Sequence, residues 1–339
     1  NFDASSMKHL MIYARKENAI EILDENRNII LSLETEHFPI ESVALDVASN
    51  SIISLVTRTE RGSIDFHKLK IYCTENFNND LNCSGQYKGF TKVLTKSSDK
   101  QECMESNVKS LMITFSNFKH GNVIAYHDPF LFPGEIHFMT NLGERVGIYS
   151  PKEFFPTMVT QGGSYIAFVS LSSVHILSTH KLKTVKMRNK APCICQLDSL
   201  IPNNPKISSI AFDAIKVAVL YVGFENGSIY ILRLKPNDPE NENCCTLLNQ
   251  FPLTKSYENN TISNIFSTNG YALASMNNTI SVFNTTEVAK LRTVRFLSEK
   301  EFEERIESFS IGSGPSNVPV NKLPLMVGFE SGTVKTFNV

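Results

Sequence analysis

Two stretches of the chain carry nearly the same pattern: Tyr221–Ile229 reads YVGFENGSI and Met326–Val334 reads MVGFESGTV. In each stretch an apolar run leads into an acidic residue, a polar residue and a glycine, and a second run with a β-branched residue follows. This pattern predicts a strand, a tight turn and a returning strand, because glycine adopts the positive φ that a short hairpin requires. A hairpin that recurs within one chain indicates a repeat architecture, in which the loops carry the function.

The hairpin recurs along the whole chain. The first β-branched residue after each turn serves as a marker, and seven markers follow one another at an average spacing of roughly 52 residues. The markers are Ile20, Ile64, Val123, Val174, Ile229, Ile280 and Val334. This spacing does not suit a sandwich, whose strands need long crossings between sheets. It predicts an all-β fold, a β-propeller of seven blades with four antiparallel strands each.

The predicted propeller is a single domain over residues 1–339. Its approximate blades cover residues 1–36, 37–98, 99–150, 151–190, 191–254, 255–299 and 300–339. Blade five is the clearest, with strands expected at 207–213, 217–224, 228–234 and 246–251. The outer strand of blade four is expected at 183–188, and that of blade six at 291–297. The strands between residues 74 and 107 are not allocated.

The last blade ends at its third strand in this sequence, so the outer edge of that blade is expected to be open. Either a segment from upstream supplies the fourth strand or a partner peptide does, since an unpaired strand edge is a template for strand addition. The chain begins with Asn1 rather than methionine, so we expect it to be part of a longer protein.

The composition is that of a globular chain. Of 339 residues 42% are hydrophobic, which is enough to bury a large core without the help of disulfides or metals. No apolar run reaches the length of a membrane span. The formal net charge of −1 produces no field that would attract nucleic acid or a lipid surface. We therefore expect no nucleic-acid partner, and a membrane only as an indirect partner.

The chain resembles the WD40-like β-propeller family at Gly223–Leu234 and Gly328–Val339, and more weakly at Glu17–Leu23 and Asn277–Phe283. These segments match the family's pattern of glycine, an acidic or polar residue, a second glycine and a β-branched third strand. The chain has no tryptophan, so the Trp-Asp dipeptide of regular members and its hydrogen-bond network cannot be present. The resemblance implies a rigid platform that binds proteins or peptides, often as one domain of a larger scaffold.

Catalytic signatures are missing from the sequence. It contains no Ser-His-Asp order, no paired catalytic carboxylates, no P-loop and no dinucleotide fingerprint. His120, His127 and His137 lie in blade three, but the prolines and glycine between them leave their convergence unspecified. We therefore predict a protein that is not an enzyme, with no catalytic residues, no cofactor and no metal site.

Two segments are candidates for binding a partner. The basic run at 181–190 would attract an acidic peptide or phosphate groups, although lysines on an exposed edge strand also prevent sheets from associating. The segment 298–309 is expected to be a short helix or an extended loop, which either docks a partner or anchors the propeller locally. The candidate residues are Lys181, Lys183, Lys186, Arg188 and Lys190 in the basic run, with Phe302 and Ile306 in the second segment.

The cysteines are expected to be reduced. Seven cysteines are too few for a disulfide scaffold in a chain of this size, and the spacings Cys193-x-Cys195 and Cys244-Cys245 suit neither zinc nor a thioredoxin motif. A local disulfide is plausible only among Cys73, Cys83 and Cys103. Five glycosylation sequons occur, a number that chance explains in a chain rich in Asn, Ser and Thr; they begin at Asn82, Asn226, Asn259, Asn277 and Asn284.

The sequence thus favours a cytoplasmic, non-catalytic scaffold for protein interactions, one domain of a larger assembly protein. Its resemblance to the propeller domains of membrane-trafficking coat and tethering subunits rests on fold analogy. The alternative is a secreted or lumenal propeller that acts in adhesion or as a carbohydrate-active enzyme. That alternative predicts an upstream signal peptide, a disulfide among Cys73, Cys83 and Cys103, and sugar on at least one sequon.

Overall fold

The structure is a computed structural model, and it describes residues 11–14, 19–23, 29–34, 40–46, 52–61, 64–73, 91–97, 111–117, 120–127, 134–140, 145–151, 154–179, 182, 193–201, 206–213, 218–235, 244–252, 261–268, 270–285, 295–311 and 324–338. The 26 elements assigned in these ranges are all β-strands, and every strand pairs antiparallel with its sequence neighbours within a sheet. The described ranges contain no helix with the length and hydropathy of a bilayer span. The chain divides into two compact units.

The amino-terminal unit contains three sheets. Their strands are β1 (Met11–Ala14), β2 (Ala19–Leu23) and β3 (Ile29–Glu34); β4 (Ile40–Asp46), β5 (Ile52–Arg61), β6 (Ile64–Cys73) and β7 (Thr91–Ser97); β8 (Leu111–Asn117), β9 (Gly121–His127), β10 (Ile136–Thr140) and β11 (Arg145–Tyr149). The third sheet is densely packed with aromatic residues. Phe115 meets Phe138 edge to face, and Tyr149 meets Phe154 in the same way.

The carboxy-terminal unit contains four sheets. Their strands are β12 (Pro156–Gly162, counted with this unit from Met158), β13 (Tyr165–Ser170), β14 (Ser173–Ser178) and β15 (Cys193–Gln196); β16 (Ile207–Phe212), β17 (Val219–Phe224), β18 (Ser228–Leu234) and β19 (Cys245–Pro252); β20 (Ile262–Thr268), β21 (Tyr271–Met276), β22 (Thr279–Asn284) and β23 (Arg295–Glu301); β24 (Ile306–Ile311), β25 (Pro324–Phe329) and β26 (Val334–Asn338).

Consecutive sheets of the carboxy-terminal unit pack face to face. One apolar core joins the sheet β12–β15 to β16–β19, a second joins β16–β19 to β20–β23, and a third joins β20–β23 to β24–β26. The strands β16, β17 and β18 of the second sheet are buried along almost their whole length, as expected for strands covered on both faces. The sheets therefore follow one another in space in the order in which they occur in the chain.

The strand predictions are confirmed where hairpins are short. Blade five has all four expected strands to within two residues. The outer strand of blade six begins at Arg295, four residues later than expected. The outer strand predicted at 183–188 is wrong, because Cys193–Gln196 occupies the position beside β14. Cys193 and Cys195 are buried there. Cysteine behaves as a small apolar residue and therefore suits a buried strand, a signal that the strand prediction did not use.

The described part of the chain forms seven sheets, with three strands in the first and last and four in each of the others. The fourth of these sheets includes β15 (Cys193–Gln196), which lies within the range predicted for blade five. The blade count of the complete fold and the single-domain boundaries stay predictions.

Two disulfides join the outer strand of one sheet to the outer strand of the next. Cys193 of β15 bonds to Cys244, and Cys195 of β15 bonds to Cys245 of β19. The paired Cα atoms are 5.5 and 5.4 Å apart, and all four side chains are buried. The prediction of reduced thiols is therefore wrong at these four positions. The partners are 51 and 50 residues apart in sequence, so cysteine spacing alone did not reveal them.

We predict that the two disulfides stabilise the fold in a strongly non-additive way. Either bridge alone closes a loop of about 50 residues in the unfolded chain, which is worth about 4 kcal/mol of unfolding free energy in the chain-entropy model. Removing Cys195 and Cys245 together, each as Ala, should therefore cost far less than removing all four cysteines. Urea unfolding of protein made in the oxidising bacterial periplasm measures both losses. The account would be contradicted if removing each cysteine pair lowered the unfolding free energy by the same amount and the two losses added up to the loss on removing all four cysteines.

The similar stretches Tyr221–Ile229 and Met326–Val334 share a glycine at their third position, and its surroundings differ between the two. A Cβ atom at Gly223 would lie 2.7 Å from a methyl carbon of Ile262 and 2.9 Å from one of Ile265, both on the next sheet. A Cβ at Gly328 would meet only the Ser308 hydroxyl at such a distance, 2.9 Å away. Gly223 therefore permits a close approach of two sheets, whereas Gly328 does not have this role.

We predict that Gly223→Ala destabilises the protein by about 1–3 kcal/mol, because the added methyl group overpacks a closed core. Gly328→Ala is the matched control, and we expect it to be nearly neutral because a serine hydroxyl can rotate away. Thermal unfolding of the two variants measures the difference. Equal effects of the two substitutions would show that sheet spacing is not set at Gly223.

Candidate functional site: the hairpin end of the carboxy-terminal unit

Four turns join the second strand to the third in the four sheets of the carboxy-terminal unit. We call them together the hairpin end; they are Leu171–Ser172, Glu225–Gly227, Asn277–Asn278 and Glu330–Gly332. Because the sheets are stacked and share one strand order, these equivalent turns lie at the same end of the unit. Loops on a rigid scaffold are the usual place for a binding surface.

Hydrogen bonds to backbone carbonyl oxygens fix three of these turns to the segment that leads into the next sheet. Leu197 N donates to Ser172 O at 3.1 Å, and Ile306 N donates to Asn277 O at 2.7 Å. Thr261 Oγ1 donates to Glu225 O at 3.4 Å. The hairpin end is therefore a set of connected, ordered turns and not a row of independent loops.

Leu171 is the unusual residue of this end. Its φ is 52°, close to the 53° of Asn277 in the equivalent turn, while Gly227 and Gly332 have φ values of 77° and 81°. Glycine and asparagine adopt the left-handed region readily, but for leucine it costs roughly 1 kcal/mol. The Leu171 side chain is also 68% exposed, the highest exposure among the large hydrophobic residues described. A strained and exposed leucine is a candidate contact residue.

The charges around the turns are mixed in sign. Lys206 Nζ lies 2.8 Å from Glu225 Oε1 in an exposed salt bridge, and Ser172 Oγ donates to Asp198 Oδ2 at 2.7 Å. Exposed pairs of this kind contribute little to stability. The surface around Leu171 offers an apolar contact with neighbouring charges of both signs, which suits a protein surface better than a polyanion.

The buried polar groups of the same unit have structural roles. Tyr221 donates its hydroxyl to Asp213 Oδ2 at 2.6 Å, and burial together with the Asp213 charge raises the pKa of Tyr221. Burial lowers the pKa of His175 to about 4, so this imidazole is neutral at physiological pH. Among the residues whose burial the structure describes, Asp213 is the one buried carboxylate, and the Tyr221 hydroxyl gives it a partner within the core.

The blade-three histidines hold a turn of the amino-terminal unit. His127 Nδ1 donates to the backbone oxygen of Glu135 at 2.8 Å, and His137 Nε2 donates to Glu135 Oε2 at 3.0 Å. Both His127 and His137 are buried. Within the ranges that the structure describes, no three His, Cys, Asp or Glu side chains form a group suited to a metal ion.

The second predicted segment, 298–309, is not a helix. It contains the end of β23, a turn at 302–305 and the beginning of β24. Ile306 is 1% exposed within the third core, a placement that agrees with a local apolar anchor, one of the two roles expected of this segment. Phe302 is half-buried, and its ring centre lies 5.0 Å from that of Phe337 and 5.6 Å from that of Phe329. Phe302 thus acts as a local apolar anchor, one of the two roles expected.

The basic run lies almost wholly outside the described residues. Lys181, Lys183, Lys186, Arg188 and Lys190 all belong to that undescribed part. Leu182 is described and is buried. The binding role of the five basic residues stays a prediction.

The outer strand of the last described sheet is β26. Next to it, Lys300 Nζ lies 4.8 Å from the ring centre of Phe337, and Lys335 Nζ lies 5.6 Å from that of Phe329. Val334, at the beginning of β26, is 40% exposed. These residues surround the strand edge at which the sequence predicts strand addition.

No protein-family model matches the chain, and no curated protein sequence matches it. Solved structures do match it. The β-propeller domain of Myceliophteria thermophila Cps50 (Swd1) aligns with 97% of this chain and 93% of its own, at 11% identity and a TM-score of 0.63. Saccharomyces cerevisiae Sqt1 aligns with 97% of this chain and 81% of its own, at 11% identity and a TM-score of 0.60.

A third similar structure is a complex. Chaetomium thermophilum Sqt1, bound to the N-terminus of the ribosomal protein L10, aligns with 97% of this chain and 80% of its own, at 14% identity and a TM-score of 0.56. At these identities the likeness shows the fold. The chain therefore has the fold of a WD40-like β-propeller, in agreement with the resemblance carried by its glycine-marked hairpins.

We predict that exchanging the residues of two equivalent turns has opposite effects on stability. Leu171→Asn should raise the free energy of unfolding by roughly 1 kcal/mol, because asparagine tolerates the left-handed backbone. Asn277→Leu should lower it by a similar amount. Urea unfolding of periplasmically produced protein provides the measurement. A loss of stability in Leu171→Asn would mean that the Leu171 side chain stabilises the free protein.

Proposed function

We propose that this chain is a non-catalytic scaffold that binds a protein or peptide at the hairpin end, with Leu171 as a central contact. The observation that carries the proposal is the combination of exposure and backbone strain at Leu171. An exposed leucine in a left-handed turn reduces the stability of the free protein, so its contribution is expected in a complex.

The structural neighbours support a role in protein interactions. Sqt1 shares the propeller fold, and one of its structures is a complex with the N-terminus of a ribosomal protein. The described residues add support, because their buried titratable groups are engaged in structural contacts. A fold likeness at this level of identity does not specify the partner of this chain.

The outer edge of β26 is a second candidate binding route. A peptide that adds as a strand would bond to the backbone of Val334–Asn338 and place side chains near Phe337 and Lys300. This route corresponds to the strand addition expected from the sequence. It does not use Leu171, so the two routes can be separated by mutation.

The cellular setting is part of the proposal. The cytoplasmic location and the role in a membrane-trafficking coat or tether stay predictions, and the two disulfides count against them because cytosolic thiols are kept reduced. The same bridges favour the alternative of a secreted or lumenal propeller. Of its two roles, adhesion agrees with a binding scaffold better than carbohydrate-active catalysis does.

The test is quantitative affinity purification from the cells that produce the protein. Leu171→Asp should lose its main partner while folding normally, because the substitution removes the apolar contact and aspartate tolerates the left-handed turn. Asparagine is avoided in this experiment because at position 171 it would form a glycosylation sequon with Ser173. Leu247→Asp is the matched control: Leu247 is also exposed, but it lies on β19 and not in a turn. We expect this control to retain the partner.

Retention of every partner by Leu171→Asp would overturn the hairpin-end proposal. If Val334→Pro, which disturbs the edge of β26, then lost the partner, the strand-addition route would replace it. Folding of each variant is checked by thermal unfolding before the purification. Deletion of residues 298–309 is unsuitable, because it would remove parts of β23 and β24.

A further inference from the structure

We propose that this protein matures in an oxidising compartment and carries an N-linked oligosaccharide on Nδ2 of Asn226. Two independent features support the proposal: the paired disulfides between adjacent sheets, and the direct contact between the two acceptor groups of one sequon in an exposed turn. The inference goes beyond the proposed binding function and does not depend on Leu171 having a partner.

The disulfides indicate the compartment. Four of the seven cysteines are used in two bridges between neighbouring sheets, and all four side chains are buried. Each bridge forms when two thiols lose two protons and two electrons to a disulfide-bearing oxidoreductase through thiol–disulfide exchange. Such oxidation persists in the secretory pathway and outside the cell, where proteins with asparagine-linked sugars are found.

The sequon Asn226-Gly227-Ser228 lies where the turn between β17 and β18 leads into the returning strand. Asn226 and its neighbour Glu225 are exposed, and Gly227 has a φ of 77°. Gly227 N donates to Phe224 O at 3.1 Å, which closes the turn. The asparagine therefore lies at the tip of an ordered hairpin, the kind of surface position that a bulky sugar requires.

The two chemical groups of this sequon are in contact with each other. Ser228 Oγ donates to Asn226 Oδ1 at 2.6 Å, and Ser228 N donates to the same oxygen at 3.1 Å. These bonds join residues two positions apart, so they can form without the rest of the fold, in a chain that is still being made. The acceptor motif combines an asparagine amide with a hydroxyl two residues later, and this turn holds the two together.

The same hydrogen bonds leave room for the sugar. Oδ1 and Nδ2 diverge from Cγ of Asn226, so Nδ2 is directed away from Ser228 while Oδ1 faces it. An N-glycosylated asparagine keeps its amide oxygen and one N–H. Both bonds to Oδ1 are therefore compatible with a sugar on Nδ2, and the turn keeps its shape when it is modified.

The other sequons differ from this one. Two of them lie outside the described residues and begin at Asn82 and Asn259. Asn284 is half-buried at the end of β22. In the sequon that begins at Asn277, the hydroxyl of Thr279 donates to Met276 O at 2.9 Å and is thus bonded to the backbone. Asn226 is therefore the best acceptor among the sequons in the described part of the chain.

The transfer step balances with a lipid-linked oligosaccharide diphosphate as donor. A bond forms between Asn226 Nδ2 and the anomeric carbon of the first sugar. The bond from that carbon to the phosphate oxygen breaks, the lipid diphosphate leaves, and the amide nitrogen loses one proton. Ser228 supplies the hydroxyl that this class of acceptor site requires.

A glycan on Asn226 would restrict the surface that a partner can use. The Asn226 turn belongs to the sheet β16–β19, which packs against the sheet of Leu171 through the first apolar core. The sugar would shield this turn and the exposed salt bridge of Lys206 with Glu225 beside it. The binding surface would then be narrower than the whole hairpin end.

The experiment uses protein isolated from its own cells, with free thiols alkylated at lysis. We expect the four bridged cysteines to resist alkylation until a reductant is added. Enzymatic removal of N-glycans in heavy-oxygen water should convert Asn226 to an isotope-labelled aspartate, which peptide mass spectrometry detects. Because asparagine before glycine also deamidates spontaneously, a sample kept in the same water without the enzyme gives the background. Alkylation of these cysteines before reduction, or labelling of Asn226 no higher than the background, would overturn the proposal.

Two substitutions taken from the equivalent turn of the last sheet provide matched controls. There Ser331 Oγ accepts a hydrogen bond from Thr333 N at 3.3 Å, so serine can replace asparagine in the turn and threonine fits directly after the glycine. Ser228→Thr keeps the sequon, whereas Asn226→Ser destroys it. We expect the first variant to keep its glycan mass and the second to lose one glycan, with thermal unfolding reporting on folding. A total glycan mass that Asn226→Ser leaves unchanged would also overturn the assignment.

Discussion

The face-to-face packing of consecutive sheets is the interaction on which the carboxy-terminal unit depends. Each of its three cores is formed by two neighbouring sheets, and no sheet buries its apolar face alone. Glycines permit the closest contacts: a Cβ at Gly162 would lie 2.3 Å from Phe212 of the next sheet, and Gly223 has the same role against Ile262. Sheet spacing therefore depends on small residues at a few positions.

The same packing explains how function is distributed. Because the faces of the sheets are used for cohesion, the accessible features are the turns at the ends and the outer strands. Leu171 belongs to the first group and β26 to the second. Both features expose residues that are suited to contact with another protein.

Much of the fold could be predicted from the sequence, because short hairpins combine local signals. The glycine in each turn and the apolar runs beside it lie within about ten residues, so blade five was located almost to the residue. Less of the candidate site could be predicted from the sequence. Leu171 has the residue type of a strand, and its left-handed backbone appears only in the structure. Ile306 lies in a core, but its charged neighbours Arg305 and Glu307 left both a partner contact and a local anchor open in the sequence. The disulfides were missed because they depend on two strands far apart in sequence.

The pairing of Cys193 and Cys195 with two consecutive cysteines has a consequence for the integrity of the molecule. Both bridges enclose nearly the same chain segment, from the end of one sheet through three strands of the next. If a protease cut the backbone once within this segment, the two fragments would still be joined to each other through both disulfides. Such a nicked molecule would gain the mass of one water, but it would stay covalently linked and keep its packed sheets until a reductant reached the buried sulfurs.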